Sequence, residues 1–575
     1  MRTSFLLLFL AVVCFSPGAS ALTVNRLNGG ASLIYVDFSL TAGPVPLELL
    51  RSYNTITAAN ENTGWSGAFG WGWTAPFETT LTTTPDRTVL LRDGGTGNTV
   101  AFRPEKEDPK AKALFYENLK RAYFEAKDGR KLSPGELAKA KLPENVLSKL
   151  KTDPLYRTEM GDRYGIKGAP TEGILISSEY GYQTIQFKNN QWVREKDGIT
   201  QNFDQEGRLI RQQDKNGAIF NFKYSPVQKN QLVEISDQNR MMALKFTWKG
   251  EKVTEIVDNR NQVAKYSYDG LGNLTEVVDS NSQSFVYKYE NKKFPHLLSK
   301  IEYVTESSAK ARVFREIGYD DTGLVTYHRD KDGSETLFTY GKGQSDPENN
   351  FWTKSVHKAK GVTEEQYDEY FIKARADGSK YLYKQETRAN GVTSVTVFTA
   401  CCGKPQQIVR NGETTNFKYY ENGLLEEKVG PKEELKIEYD PRWKKASKVS
   451  QNGVTSTYEY DNRGNLTKAA NSKNEKVALK YDKSGRILEM TDPEGKQISF
   501  QYNPNGRPTL ISEKGVGAVK IEYDGEGRIK RTESVGSKAG RRPSEAQSQE
   551  VIRRVMRGFQ NLLEILRPAG TSFTS

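Results

Sequence analysis

The sequence predicts an all-β protein built from repeated β-hairpins that pair into one long spiralling sheet, open or forming a partial shell. Three observations predict it. Tyr439, Tyr460, Tyr481, Tyr502 and Tyr523 follow one another at 21-residue intervals, and the same interval separates Phe203 from Tyr224, Tyr268 from Tyr289 and Tyr319 from Tyr340. A fixed period of this size is the mark of a repeat architecture. The chain is rich in turn and strand formers, with 49 Gly and 29 Tyr among 575 residues. An aromatic share of 11% argues against disorder, which goes with few aromatics. Only three Cys are present, so no disulfide framework substitutes for a core.

Within one unit each position has a physical task. The aromatic ends a strand. The Asp after it closes a turn by accepting from its own backbone, and the Gly four residues after the aromatic takes the positive φ that the turn requires. The sets are Phe203/Asp204/Gly207, Tyr268/Asp269/Gly272, Tyr319/Asp320/Gly323, Tyr460/Asp461/Gly464, Tyr481/Asp482/Gly485 and Tyr523/Asp524/Gly527, with Tyr502 and Gly506 completing the series. A short alternating strand follows, such as Leu274–Val278, then a second turn such as Asp492-Pro493-Glu494-Gly495. A second strand leads to the next aromatic, so one unit is one hairpin. A lone hairpin is marginal in water, and the units must therefore pair edge to edge. Trp248 stands where a Tyr is expected, and 341–418 keeps only fragments of the pattern.

The remaining segments read in order. Residues 1–21 have the form of a signal peptide: Arg2, an apolar run from Phe5 to Phe15, a break at Pro17-Gly18 and the small-residue site Ala19-Ser20-Ala21. A lipoprotein signal ending at Cys14 is the alternative. The run is too short to span a bilayer, and export to the periplasm, cell surface or medium is expected. Residues 22–104 form an opening β domain. Its Gly70-Trp71-Gly72-Trp73 turn is either a core anchor or a sugar-stacking platform. Residues 105–170 break the β pattern with helical spacing at Leu114, Leu119 and Tyr123. Ser133-Pro134-Gly135-Glu136 reads as a capping box, and a second short helix is expected from Pro143 to Lys151. The repeat array occupies 171–535. A linker at 536–543 leads to an amphipathic helix over 544–568, whose Val551, Val555, Phe559, Leu562, Leu563 and Leu566 follow helical spacing beside Arg553, Arg554 and Arg557. That helix either packs on the sheet, docks a partner or touches a membrane surface; it is the only segment expected to contact a membrane.

The Tyr-Asp-x-x-Gly units resemble the YD repeats of Rhs proteins, wall-associated bacterial proteins and teneurins, over roughly 195–535. The order Asp37-Phe38, Gly43-Pro44-Val45-Pro46, Arg51-Ser52-Tyr53, Phe69-Gly70-Trp71-Gly72-Trp73 and Leu91-Arg92-Asp93-Gly94 is similar to the domain that opens many Rhs-type repeat regions. The resemblance implies a β-sheet wound into a shell. The self-cleaving D-P-x-G-x-x-D core and the toxin domain of Rhs toxins find no match here.

No catalytic pattern stands out. His296, His328 and His357 lie in unrelated contexts, and neither an H-E-x-x-H nor a G-x-S-x-G motif is present. Cys401-Cys402 is a structural pair, a strained vicinal disulfide or part of a metal site. No enzyme activity, cofactor or metal is expected. The net charge of +12 is spread along the array, and with export it points away from nucleic acid. The expected role is an exported scaffold that binds a glycan, a wall component or a protein partner. The alternatives are a partial shell around a separate polypeptide and, least favoured, a polysaccharide-active enzyme.

Overall fold

The structure is a computed structural model. It describes residues 22–535, apart from 41–45, 60–65, 85–87, 105–108, 167–172, 178–181, 215–217, 229, 306–307, 376–379, 401–402, 484, 492–493, 505 and 525–528. The expected signal peptide, the Cys401-Cys402 pair, Gly527, the linker and the 544–568 helix lie outside the described residues.

Among the described residues, one antiparallel sheet of 36 strands runs from Thr80–Thr83 to Ile529–Val535, each strand paired with its neighbours in sequence. Each repeat bends it. The register shifts by one residue where the strand reaches the repeat aromatic, at Phe203, Tyr224, Trp248, Tyr268, Tyr319, Tyr419, Tyr439, Tyr460, Tyr481, Tyr502 and Tyr523. Such a bulge bends the strand and increases its right-handed twist. One bulge at nearly every second strand, always at the same end, coils the sheet.

The coil closes early. Thr80 on the first of these strands bridges Arg208, and the Leu81 amide donates to the Gly207 carbonyl at 2.8 Å, so the first eight strands meet across a full winding. Gly207 permits this approach, because a Cβ there (φ +81°) would lie 2.1 Å from the Leu81 oxygen. Leu81, Leu91, Phe102, Ile185, Trp192 and Phe203 fill the inside of this winding. Farther along, the side-chain amide of Asn239 reaches the Pro504 carbonyl at 3.5 Å, which places the rims of distant parts of the sheet side by side.

One sequence reading is corrected, the helix stop before Asp153-Pro154, and two regions are resolved further. The opening domain of 22–104 divides: Thr23–Asn25, Gly30–Leu40, Leu47–Asn54 and Trp73–Thr74 make a separate four-stranded sheet, whereas Thr80–Thr83, Val89–Arg92 and Thr99–Pro104 begin the long one. The reason is edge pairing, since Thr99–Pro104 adds directly to Ile174–Ser177. The helical segment therefore sits in the loop of one hairpin. Among the described residues it has four helices, Pro109–Asp128, Pro134–Lys139, Glu144–Thr152 and Pro154–Arg163. The last follows Asp153-Pro154, where a stop was expected; Pro at a first helical position costs no hydrogen bond. Leu114 is exposed, and Phe115, Leu119, Leu150 and Met160 form the core of this segment instead. Finally, the stretch in which the repeat pattern fades holds long strands, Asn350–Ala359, Val362–Ala374 and Lys380–Ala389. Their hairpins turn on Lys360-Gly361 and Asn390-Gly391, with positive φ at both residues, the geometry that suits a tight two-residue hairpin.

The inner face of the sheet as the candidate functional site

The repeat aromatics do more than mark turns. Ten of them reach back to the first strand of the hairpin and donate to a backbone carbonyl: Tyr224 to Leu209, Trp248 Nε1 to Leu232, Tyr268 to Val253, Tyr340 to Val325, Tyr419 to Pro405, Tyr439 to Leu425, Tyr460 to Ala446, Tyr481 to Leu466, Tyr502 to Ile487 and Tyr523 to Pro508, at 2.6–3.1 Å. Tyr319 makes the same bond to Leu298 at 2.7 Å. Trp248 thus substitutes for Tyr because an indole N–H serves the same acceptor. Most of the Asp carboxylates close their turns as expected. Asp269, Asp320 and Asp461 each accept from the amides two and four residues on, and Asp204 and Asp482 from the amide four residues on. Asn503 takes this role beside Tyr502. Asp524 departs from the set. The turn expected of it runs into 525–528, outside the described residues, so Asp524 is placed only as the residue that follows the Tyr523 strand. There its charge faces Arg507: burial lowers the Arg507 pKa, and Tyr523 and Asp524 oppose that fall. Gly207, Gly272, Gly323, Gly464, Gly485 and Gly506 have φ between +78° and +89°. These residues build the wall; what they enclose is set by positions that the repeat reading did not single out.

Those positions lie two and four residues before each aromatic. The cross-strand registers carry one face continuously along the sheet, from Phe246, Ile256, Ala264, Tyr266, Val277 and Phe285 through Thr353, Asp368 and Thr387 to Phe417, Leu435, Ile437, Val449, Leu479, Met490 and Phe500. This inner face has three zones.

The first zone, along 219–342, is filled by the small N-terminal sheet. Leu33, Tyr35, Phe38, Leu49, Tyr53, Phe69, Trp73 and Phe77 form one core with Phe246, Tyr266, Phe285, Tyr287, Ile317 and Phe338. At its centre Arg51 makes a two-pronged ion pair with Asp37, at 2.8 and 3.0 Å, and both side chains are buried. The guanidinium lies over five rings, Tyr35, Phe69, Trp73, Tyr266 and Tyr287, the nearest centroid (Trp73) at 4.5 Å. Tyr266 of the long sheet donates to Asp37 at 2.8 Å, so the pair ties the two sheets together. Burial works against the Arg51 charge, but Asp37 and the tyrosines outweigh it and raise its pKa. Around the edge, the Trp71 amide donates to the Gly272 carbonyl, Trp71 Nε1 to Leu271, and Trp73 Nε1 to Tyr289. Trp71 stacks on His296 with centroids 4.4 Å apart. Gly70-Trp71-Gly72-Trp73 is thus an anchor of the N-terminal sheet against the repeat turns.

The second zone is polar. Asp368, buried, accepts from Gln366, Gln385 and Thr387, and Arg26 of the N-terminal segment lies 3.9 Å away. Thr353 donates to the Arg26 carbonyl. His328 and His357 are on this side of the sheet near the same end. Burial lowers the His328 pKa, and His357 Nδ1 meets the Thr336 hydroxyl at 3.0 Å. Among the described residues no group of three or more His, Cys, Asp or Glu is placed to hold a metal ion.

The third zone is apolar again. Leu435, Ile437, Val449, Tyr458 and Ala469 form one cluster, and Val477, Leu479, Met490, Ile498 and Phe500 another. All are buried, and the described residues of both clusters belong to this sheet.

The model of a domain of unknown function, DUF6531, matches residues 23–102. The RHS Repeat model matches 250–284 and 481–516. No curated protein matches the chain. Among solved structures, the TcdB2-TccC3-TEV crystal structure is similar at 11% identity over 88% of this chain and 27% of that one, with a TM-score of 0.44. The Photorhabdus luminescens Tc holotoxin pore is similar at 10% identity over 89% and 31%, with a TM-score of 0.35. This chain thus spans less than a third of the length of those chains.

Proposed function

This chain is an Rhs-like YD-repeat protein, and on that premise we propose that it is an exported scaffold that holds a polypeptide against the inner face of its coiled sheet. The carrying observation is that the face already does so once. Along 219–342 it grips the described residues of 22–78 with an apolar core, a caged arginine and backbone hydrogen bonds from the repeat turns. The third zone offers the same face, with the same spacing from each repeat Tyr. It is lined by aliphatic side chains with Tyr458 and Phe500, which suits apolar peptide side chains better than sugar hydroxyls. Export rests on Arg2, the apolar run from Phe5 to Phe15 and the Ala19-Ser20-Ala21 site. No catalysis is part of this reading.

A photo-cross-linking residue at Leu479, on the inner face, and at Lys480, on the outer face, tests it in the full chain. The scaffold reading expects peptide adducts from position 479, from this chain or another, and few from 480. Adducts of saccharide alone, or equal labelling from both faces, would remove it.

A further inference from the structure

Arg194 carries its charge into the first winding without a counter-charge. It stands opposite Ile185 and Gln201, on the face that bears Trp192 and Phe203, and is 6% exposed. Arg51 and Arg315 are as deeply buried, and each holds a carboxylate, Asp37 and Asp330 respectively. Arg194 holds neutral amides instead. Its Nε and Nη2 donate to Gln183 Oε1 at 3.0 and 2.7 Å, and its Nη1 donates to Gln201 Oε1 at 2.7 Å. Among the described residues no carboxylate forms an ion pair with it. A guanidinium has five N–H donors, so Nη1 and Nη2 each keep one.

The amides are held in place. Gln183 is buried, and Gln201 donates in turn to Gln212 Oε1 at 2.8 Å. Gln183, Arg194, Gln201 and Gln212 thus form one chain across four adjacent strands, which fixes the guanidinium. Burying a charge is costly unless an opposite charge meets it. Burial lowers the Arg194 pKa, and Asp93 and Asp197 oppose that fall. Asp93 Oδ1, however, is taken by the Gly95 and Thr96 amides of its own turn. Asp197 lies in the Asp197-Gly198-Ile199 turn, which is exposed, so the unpaired guanidinium sits just inside the rim of the winding.

We propose that Arg194, with Gln183 and Gln201 orienting it, is a binding site for a carboxylate group at the rim of the first winding. A planar carboxylate can accept from both remaining N–H groups, the pairing for which guanidinium geometry is suited. Asp93 and Asp197 repel a dianion such as sulfate more than they repel a single carboxylate. The carboxylate belongs to a small free acid or to an acidic side chain of a polypeptide. The site is independent of the scaffold reading, which concerns a different part of the inner face.

The test follows carbon-13-labelled acetate by NMR in the presence of the full chain, with sodium chloride keeping the ionic strength constant. The acetate signal should broaden saturably and sharpen again on addition of formate, but not of sulfate. Arg194→Gln should abolish the broadening. Arg194→Lys keeps the charge without the fork and should weaken acetate binding about tenfold, which also serves if the Gln variant does not fold. A capped triglutamate peptide that displaces acetate would assign the site to acidic side chains, and one that does not would assign it to small acids. Equal broadening with Arg194→Gln, displacement by sulfate as effective as by formate, or no saturable broadening in the unaltered chain would overturn the site.

Discussion

The two ends of the repeat array share a sequence pattern and differ in what lies against it. The residue two positions after the turn glycine is an example. Leu209, Leu274 and Val325 are at most 1% exposed, whereas Leu425, Leu466 and Ile487 at the same place in later units are only half-buried. The turns differ likewise. In early units the glycine carbonyls are met by main-chain amides of the N-terminal region, Leu81 on Gly207 and Trp71 on Gly272. In later units they are met by lysines of the preceding hairpin, Lys404 on Gly423 and Lys445 on Gly464. The repeat therefore specifies acceptors that must be satisfied, and leaves open whether a second layer or a side chain satisfies them.

The largest way to break this difference is at the caged arginine. Arg51→Ala leaves Asp37 buried without its partner and should cost about 3–5 kcal/mol. Amide exchange should accelerate across 243–342 while 433–523 keeps its protection; equal acceleration in both would show that the two halves fold as one unit. Next, matched truncations sharpen the contrast. Leu274→Ala should cost about 3–4 kcal/mol and Leu466→Ala about 1–2 kcal/mol, measured by denaturant unfolding, because only the first leaves a closed cavity.

A third prediction concerns pH. Glu78 accepts from the Ala68 and Ala75 amides beneath the N-terminal sheet, and burial pushes its pKa from 4.5 up to about 7. A carboxyl whose folded pKa is raised binds its proton more tightly when folded, so the folded state gains as pH falls from about 7 toward 4.5, by at most about 3 kcal/mol. Melting curves should show the early half more stable at pH 5.5 than at pH 8, and Glu78→Gln should remove that part of the dependence. No change on substitution would place the Glu78 carboxyl in water.

The smallest effects belong to the ladder itself. Tyr481→Phe removes one hydroxyl-to-carbonyl bond and should cost about 0.5–1.5 kcal/mol. Alkaline spectrophotometric titration should divide the tyrosines. Burial pushes Tyr419, Tyr439, Tyr481 and Tyr502 up to about 12, and pushes Tyr53, Tyr289 and Tyr319 well above the ordinary value. The later set should ionise in the folded protein, and the early set only as the chain unfolds. Since both raise the folded pKa, stability falls as pH rises past about 10.

The sequence by itself determined the wall. A 21-residue period, Tyr before Asp, and Gly four residues after Tyr are local requirements: a turn, a positive φ and a strand length. Local chemistry is legible without knowing the neighbours. The tyrosine hydroxyl bonds and the bulges were within its reach too, for they recur at one position, although nothing in the spacing says where a hydroxyl points. The face two and four residues before each Tyr also carried a signal in its apolar residues. Only the tertiary structure decided what this face encloses. Asp37, Arg51 and Tyr266 are far apart in sequence and acquire their meaning when two sheets meet. Residues 80–104 joined the long sheet, and not the small N-terminal sheet, because an exposed strand edge pairs with whichever edge the coil brings to it. Pairing and burial of that kind depend on closure of the winding, which no window of sequence contains.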